Sequence, residues 1–221
     1  MILAQRSAMV GSGLPYDSEV GWLESRTTQW INIGVTVTSS VGLSCRALST
    51  GYISGGYLTA LFGNRSGDGA NDGTCIGRVT NNFFLAHGPT TAWQPRSTST
   101  NVWADIEFTD STSSGRTFSF NGTAYSNTNA NSNWPKAAGF ALFAGGSNGG
   151  NVGKWRIAFA KVIADGTLVR DFIPVRVGSG PYATGYLFDK VSGKLYGNSG
   201  TGSFVIGPDV LPSLGGGGIN T

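Results

Sequence analysis

Three side chains at alternate positions of one extended run, Trp103, Asp105 and Glu107, are the densest group in the sequence that could do chemistry. Asn101–Thr109 alternates cleanly. Val102, Ala104, Ile106 and Phe108 fall on one face and Trp103, Asp105, Glu107 and Thr109 on the other, as in a strand with one buried and one wet side. Carboxylates two residues apart on a strand stand about 6.6 Å apart at Cα. Glycoside cleavage with retention needs carboxyl groups about 5–5.5 Å apart, and with inversion about 6.5–9.5 Å. The pair could reach the inverting distance, but one strand presents both groups to the same side of a sugar. A solvated or loop-tying acidic face accounts for the pair more simply.

Sugar binding asks for an aromatic face open to solvent with polar groups at its edge. Trp93 and Trp134 lie in polar stretches beside proline and amide side chains, and Trp103 lies on the polar face of its strand. Each loop tryptophan suits either a lid on the core or a sugar platform, with Asp105 and Glu107 as edge groups. Trp22, Trp30 and Trp155 read as core. The glycine-rich loop 64–74 carries Asp68, Asn71 and Asp72, oxygen donors that could hold calcium, although their spacing lacks the alternation of an EF-hand. A plain solvated loop explains them equally.

His87 is the single histidine and ends an apolar run, and no Gly-x-Ser-x-Gly elbow surrounds any serine. Cys45 and Cys75, both in strand-like segments, are too few for a zinc centre. Buried free thiols are the first reading and a disulfide the alternative.

The elements that must position these groups follow from composition. Of 221 residues, 35 are glycine, and Gly, Ser, Thr and Asn together number 95, while 12% are charged. Yet 39% are hydrophobic and 11% aromatic, which supports a packed core and excludes a disordered chain. Thr, Val, Phe and Tyr outweigh helix formers, so the chain is expected to be all-β. A net charge of +3 without a basic stripe argues against nucleic-acid binding. No stretch approaches the ~20 apolar residues of a membrane helix. Residues 1–17 lack the basic flank and apolar core of a secretory signal.

Short extended runs separated by turn residues begin near Val20. Expected strands cover Thr28–Val37, Val41–Ser49, Tyr57–Phe62, Thr74–Val79, Asn82–Ala86 and Asn101–Thr109. Arg116–Phe120 and Thr123–Ser126 flank Asn121-Gly122, a strong hairpin signal. Gly139–Ala144 and Trp155–Ala164 come next, the latter apolar on both faces and therefore expected to be central. Asp165-Gly166 turns into Thr167–Val177, followed by Ala183–Asp189, Lys194–Tyr196 and Ser203–Ile206. No helix of three turns fits.

Two stretches, YDSEVGWLESRTTQWINIG (16–34) and LVRDFIPVRVGSGPYATGYLFDKVSGKLYGNSGTGSFVIGP (168–208), carry a family likeness. They resemble the concanavalin A-like, laminin-G-like jelly rolls of bacteriophage virion proteins and gut bacterial surface proteins. Glu24, Ser25, Thr28, Gln29, Ile31 and Gly34 match the family's opening string, with Trp22 and Trp30 standing for its tyrosines. The Arg170–Pro174 run and the 197–202 glycine turn match its close. In GNSGTG the glycines are expected to take positive φ where the chain changes sheet. Arg170 and Asp171, adjacent on a strand, face opposite ways and are each expected to tie down a neighbouring loop. In related β-glucan hydrolases of this fold, three acids occupy alternate strand positions. Here the nucleophile's position is Trp103, which speaks against hydrolysis.

The resemblance implies an antiparallel jelly-roll β-sandwich over residues 20–208, with an N-terminal arm (1–19) and a glycine-rich C-terminal tail (209–221). It further implies a non-enzymatic virion protein, a head decoration or tail-associated adhesin, that binds host or mucus carbohydrate. Its arms would join it to other virion proteins or to copies of itself, with no nucleic acid or membrane partner and no cofactor besides the calcium just weighed. The alternatives are a bacterial cell-surface glycan-binding module and a glucan hydrolase using Asp105 and Glu107.

Overall fold

A computed structural model describes residues 13–51, 58–65, 73–79, 82–87, 99–127 and 139–210. Among them the strands are β1 (Ser18–Glu19), β2 (Leu23–Ser25), β3 (Ile31–Asn32), β4 (Ser40–Ser49), β5 (Thr59–Gly63), β6 (Thr74–Val79), β7 (Asn82–His87) and β8 (Trp103–Ser111). There follow β9 (Gly115–Phe120), β10 (Thr123–Asn127), β11 (Ala141–Leu142), β12 (Trp155–Ala164), β13 (Thr167–Val177), β14 (Thr184–Asp189), β15 (Lys194–Tyr196) and β16 (Val205–Ile206). The single helical element among the described residues is one 3-10 turn, Gly180–Tyr182.

The strands form two antiparallel sheets. The long sheet runs β10-β9-β8-β4-β12-β13-β14-β15, with β2 pairing beside one end of β12 and carrying β16, and β1 pairing with β13. The short sheet runs β3-β11-β5-β6-β7. The chain is an all-β sandwich with a jelly-roll layout. Two of its hairpins are tightened by the expected dipeptides: Asn121-Gly122 at φ 48° and 80°, and Asp165-Gly166 at φ 48° and 81°. Both central residues need the left-handed region in such two-residue turns, which Asn, Asp and Gly tolerate best.

Inward-facing side chains of the two sheets make one core. Phe83 of the short sheet meets Phe118, Phe120 and Trp155 of the long one at ring-centroid distances of 5.3, 5.3 and 5.9 Å. Trp155 also donates its indole N–H across the gap to the carbonyl of Thr59, at 3.2 Å. That bond leaves no polar atom of the largest core side chain unpaired. Gly153 must lack a side chain, because a Cβ there would sit 2.0 Å from the carbonyl oxygen of Ala60.

The two segments that carry the family likeness knit to each other. Asn198 Oδ1 accepts the backbone N–H of Trp30 at 3.1 Å, and Ser199 N–H donates to the Trp30 carbonyl at 2.8 Å. Thr28 Oγ1 and Gln29 Nε2 both donate to the carbonyl of Thr201, each at 3.0 Å. Gly200 is required by close approach: a Cβ on it would lie 1.9 Å from the Thr28 carbonyl oxygen. Of the three glycines in GNSGTG only Gly202 has positive φ, 71°, so proximity rather than backbone handedness explains the other two.

Three further expectations change. Thr28–Val37 is not one long strand: Ile31–Asn32 pairs with β11 and Ile33 and Val35 bond the backbone of Phe140, but Gly34 at φ 61° interrupts the run, and side chains of Asn198 and Ser199 take the amides of Trp30 and Asn32. Trp155–Ala164 is central, between β4 and β13, but its outer face is open, with Lys161 and Ile163 exposed. Val102 stands before β8 and is exposed instead of joining Ala104, Ile106 and Phe108 in the core. Arg170 and Asp171 behave as expected: Arg170 donates to the carbonyls of Ile33 and Gly34, and Asp171 pairs with Lys190 at 3.2 Å.

Strand pairing extends past the expected domain limits. β1 joins β13 from within 1–19, and Tyr16 packs its ring 5.0 Å from that of Phe188. Arg176 grips both carboxylate oxygens of Asp209 at 3.1 and 2.7 Å, and Val210 N–H donates to the Glu19 carbonyl. The rest of the expected arms, 1–12 and 211–221, lies outside the described residues.

Candidate functional site

Pairing register decides which side chains share the outer face of the long sheet. On β8, Ala104, Ile106 and Phe108 are buried, so Trp103, Asp105 and Glu107 face out; Asp105 and Glu107 are exposed and Trp103 is half-buried. Cross-strand partners on β4 are Leu48 for Trp103, Arg46 for Asp105 and Ser44 for Glu107. On β12 the next partners are Arg156, Phe159 and Lys161. The irregularity between Ile157 and Phe159 lets both Arg156 and Phe159 face outward with Ile157 still in the core.

Three rows therefore cross the face: Trp103–Leu48–Arg156, Asp105–Arg46–Phe159 and Glu107–Ser44–Lys161. Arg46 Nη1 stands 3.1 Å from each carboxylate oxygen of Asp105, with the two side chains 47% and 58% exposed. An ion pair this open contributes only about 0–1 kcal/mol to stability, so stability does not explain it. Asn121 holds Asp105 from the other side: its Oδ1 accepts the Asp105 backbone N–H at 2.8 Å, and its own N–H donates to the Asp105 carbonyl at 2.9 Å. Arg156 donates to Glu24 Oε2 at 2.7 Å and lies 4.1 Å over the ring of Trp22.

Of the residues singled out from sequence, the structure brings together Trp103, Asp105 and Glu107. Trp93, Trp134, Asp68, Asn71 and Asp72 lie outside the described residues. Among the described residues no three His, Cys, Asp or Glu side chains gather as metal ligands. His87 ends β7 opposite Thr74. Cys45 and Cys75 are buried free thiols, which settles that alternative. Trp22 and Trp30 are half-buried; Trp30 packs against the core, and Arg156 lies over the ring of Trp22. Sequence reasoning missed Arg46, Arg156 and Glu24. The signal for Arg46 was present, since it is the one charge in the Val41–Ser49 strand.

Chemically, the face offers an indole beside a planar guanidinium–carboxylate pair whose outer edges stay in solvent. Asp105 is held by Arg46, and Asp105 and Glu107 stand on one strand, the wrong arrangement for attack and proton donation from opposite sides of a sugar.

Neither a protein-family model nor a curated protein matches this sequence. Among solved structures the chain is similar to a "putative carbohydrate binding protein" from Bacteroides ovatus, with a TM-score of 0.58 and 12% sequence identity. The likeness covers 88% of this chain and 61% of that one, so the chain spans under two thirds of its neighbour's length. It shows the fold: an all-β sandwich of the same general design.

Proposed function

We propose that the protein is a non-catalytic glycan-binding module that holds an oligosaccharide on the outer face of the long sheet. The observation that carries this is Trp103 standing one pleat from the exposed Arg46–Asp105 pair, with Phe159 in the same row as that pair. An indole stacks on the apolar face of a pyranose, and a guanidinium with a carboxylate bonds its ring hydroxyls. The neighbour described as carbohydrate binding supports the reading. Trp93 and Trp134 are proposed as further contacts. The cell-surface alternative gains from that gut-bacterial neighbour, whereas the virion placement rests on the family resemblance.

A glycan array on the purified chain tests the reading. Binding is expected, and Trp103→Ala is expected to weaken it by about tenfold, the equivalent of about 1.4 kcal/mol. An array without a hit, or hits indifferent to Trp103→Ala and Asp105→Ala, would remove the outer face from consideration. Cleavage of a β-glucan by the parent chain, lost in Glu107→Gln, would restore the hydrolase alternative.

A further inference from the structure

We infer that this face takes an uncharged glycan, and that Asp105 sets the selectivity by occupying the guanidinium of Arg46. The inference rests on the outer face being the glycan site. Its physical basis is how the charges are committed. Arg46 is bound to Asp105, Arg156 to Glu24 and Lys190 to Asp171. Lys161 stands in one row with Glu107, separated from it by Ser44. Glu24 also has Arg26 at 3.7 Å, so five cations and four carboxylates share this region and nearly cancel.

A uronate or sulfate is recognised best by a free guanidinium fork, which forms two parallel charge-assisted bonds. Neither arginine of these rows offers an unneutralised one, because Asp105 already sits beside Arg46 and Glu24 beside Arg156. An acidic sugar placed on Trp103 would also meet the Asp105 carboxylate. A neutral pyranose meets no such obstacle. Its hydroxyls accept from Nε and Nη2 of Arg46, which make none of the bonds to Asp105, and donate to the carboxylate. A neutral sugar brings no charge of its own to pair, so its binding is expected to vary little with salt.

The test uses the full chain and an array of neutral oligosaccharides beside their uronic-acid counterparts, at low and high ionic strength. The parent is expected to bind neutral glycans, independently of salt. Asp105→Asn, at an exposed position, is expected to raise relative affinity for the uronate set by about tenfold and to make it salt-sensitive. Adding Arg46→Gln is expected to abolish that gain; Asp105→Ser serves as a second variant should the first fold poorly. A parent that prefers acidic glycans, or an Asp105→Asn chain with an unchanged ratio, overturns the inference while leaving the glycan site standing. A parent that binds neither set overturns both.

Discussion

Asn198 Oδ1 accepts the backbone N–H of Trp30 at 3.1 Å, joining segments 168 residues apart. The same oxygen accepts the N–H of Gly200, while Nδ2 donates to the carbonyls of Thr201 and Gly202. One amide therefore shapes the closing turn and docks it on the strand entry at β3. Asn198→Ala removes all four bonds from a half-buried position. The expected cost is about 1–2 kcal/mol, given partial access of water to the freed groups. Urea unfolding should show a lower midpoint with the slope unchanged. Gly200→Ala should cost more, since its Cβ has no room beside the Thr28 carbonyl.

Asp165 sits at φ 48° in the β12–β13 turn, and its carboxylate accepts the backbone N–H groups of Thr38, Ser39 and Ser40 and both neighbouring hydroxyls. Partial burial pushes its pKa up. The backbone bonds from Ser40, Thr38 and Ser39 and the Ser39 hydroxyl outweigh this and hold it well below the usual carboxylate range. A depressed folded-state pKa means stability that is complete above the unfolded value, about 3.9, and lost as pH falls through the folded one. Asp165→Asn should lower stability at pH 7 by about 1–2 kcal/mol, allowing for solvent at this exposed site. It should also flatten the fall in stability below pH 4. Chemical denaturation at pH 7 and pH 3 checks both; an equal loss in the two chains on acidification would refute the role.

How much of this was legible beforehand depends on range. The alternation of Ala104, Ile106 and Phe108 against Asp105 and Glu107 is local, and it placed β8 and its faces correctly. The two-residue turns at Asn121 and Asp165 are likewise encoded by their own dipeptides. The partner of Asp105 is not local: Arg46 lies 59 residues away, and only the register of β4 against β8 sets them opposite. Thr28–Val37 looked like one strand because its residues suit one, yet side chains of the 197–202 turn capture the amides of Trp30 and Asn32, and Gly34 bends the run at φ 61°. Arg156 and Lys161 were the hints that one face of β12 stays wet.

Burial also governs the thiols. It pushes the Cys75 pKa up to about 12, against a smaller lowering by Arg65; Cys45 is raised still further, by burial and then by Asp105. Both thiols therefore stay protonated at neutral pH and out of reach. A disulfide-exchange reagent should titrate no cysteine in the native chain and two in denaturant, and a reductant should leave the melting temperature unchanged. Rapid native labelling of either would contradict the packing of β4 and β6.

Trp155 couples the two sheets through one bond, from its indole N–H to the Thr59 carbonyl. The ring also packs against Phe83 of the short sheet, so its apolar and polar contacts act on the same interface. Substitutions can separate them. Trp155→Phe keeps most of the apolar contact but leaves a buried carbonyl without its donor, and about 2–3 kcal/mol should be lost from that and the smaller ring. Trp155→Ala should cost about 3–5 kcal/mol through the cavity alone. If both variants unfold at the same denaturant concentration as the parent, the sheets do not depend on this side chain. Should Trp155→Phe be as damaging as Trp155→Ala, the hydrogen bond rather than ring volume holds the layers in register. A graded series, with Phe between Trp and Ala, is the expected outcome.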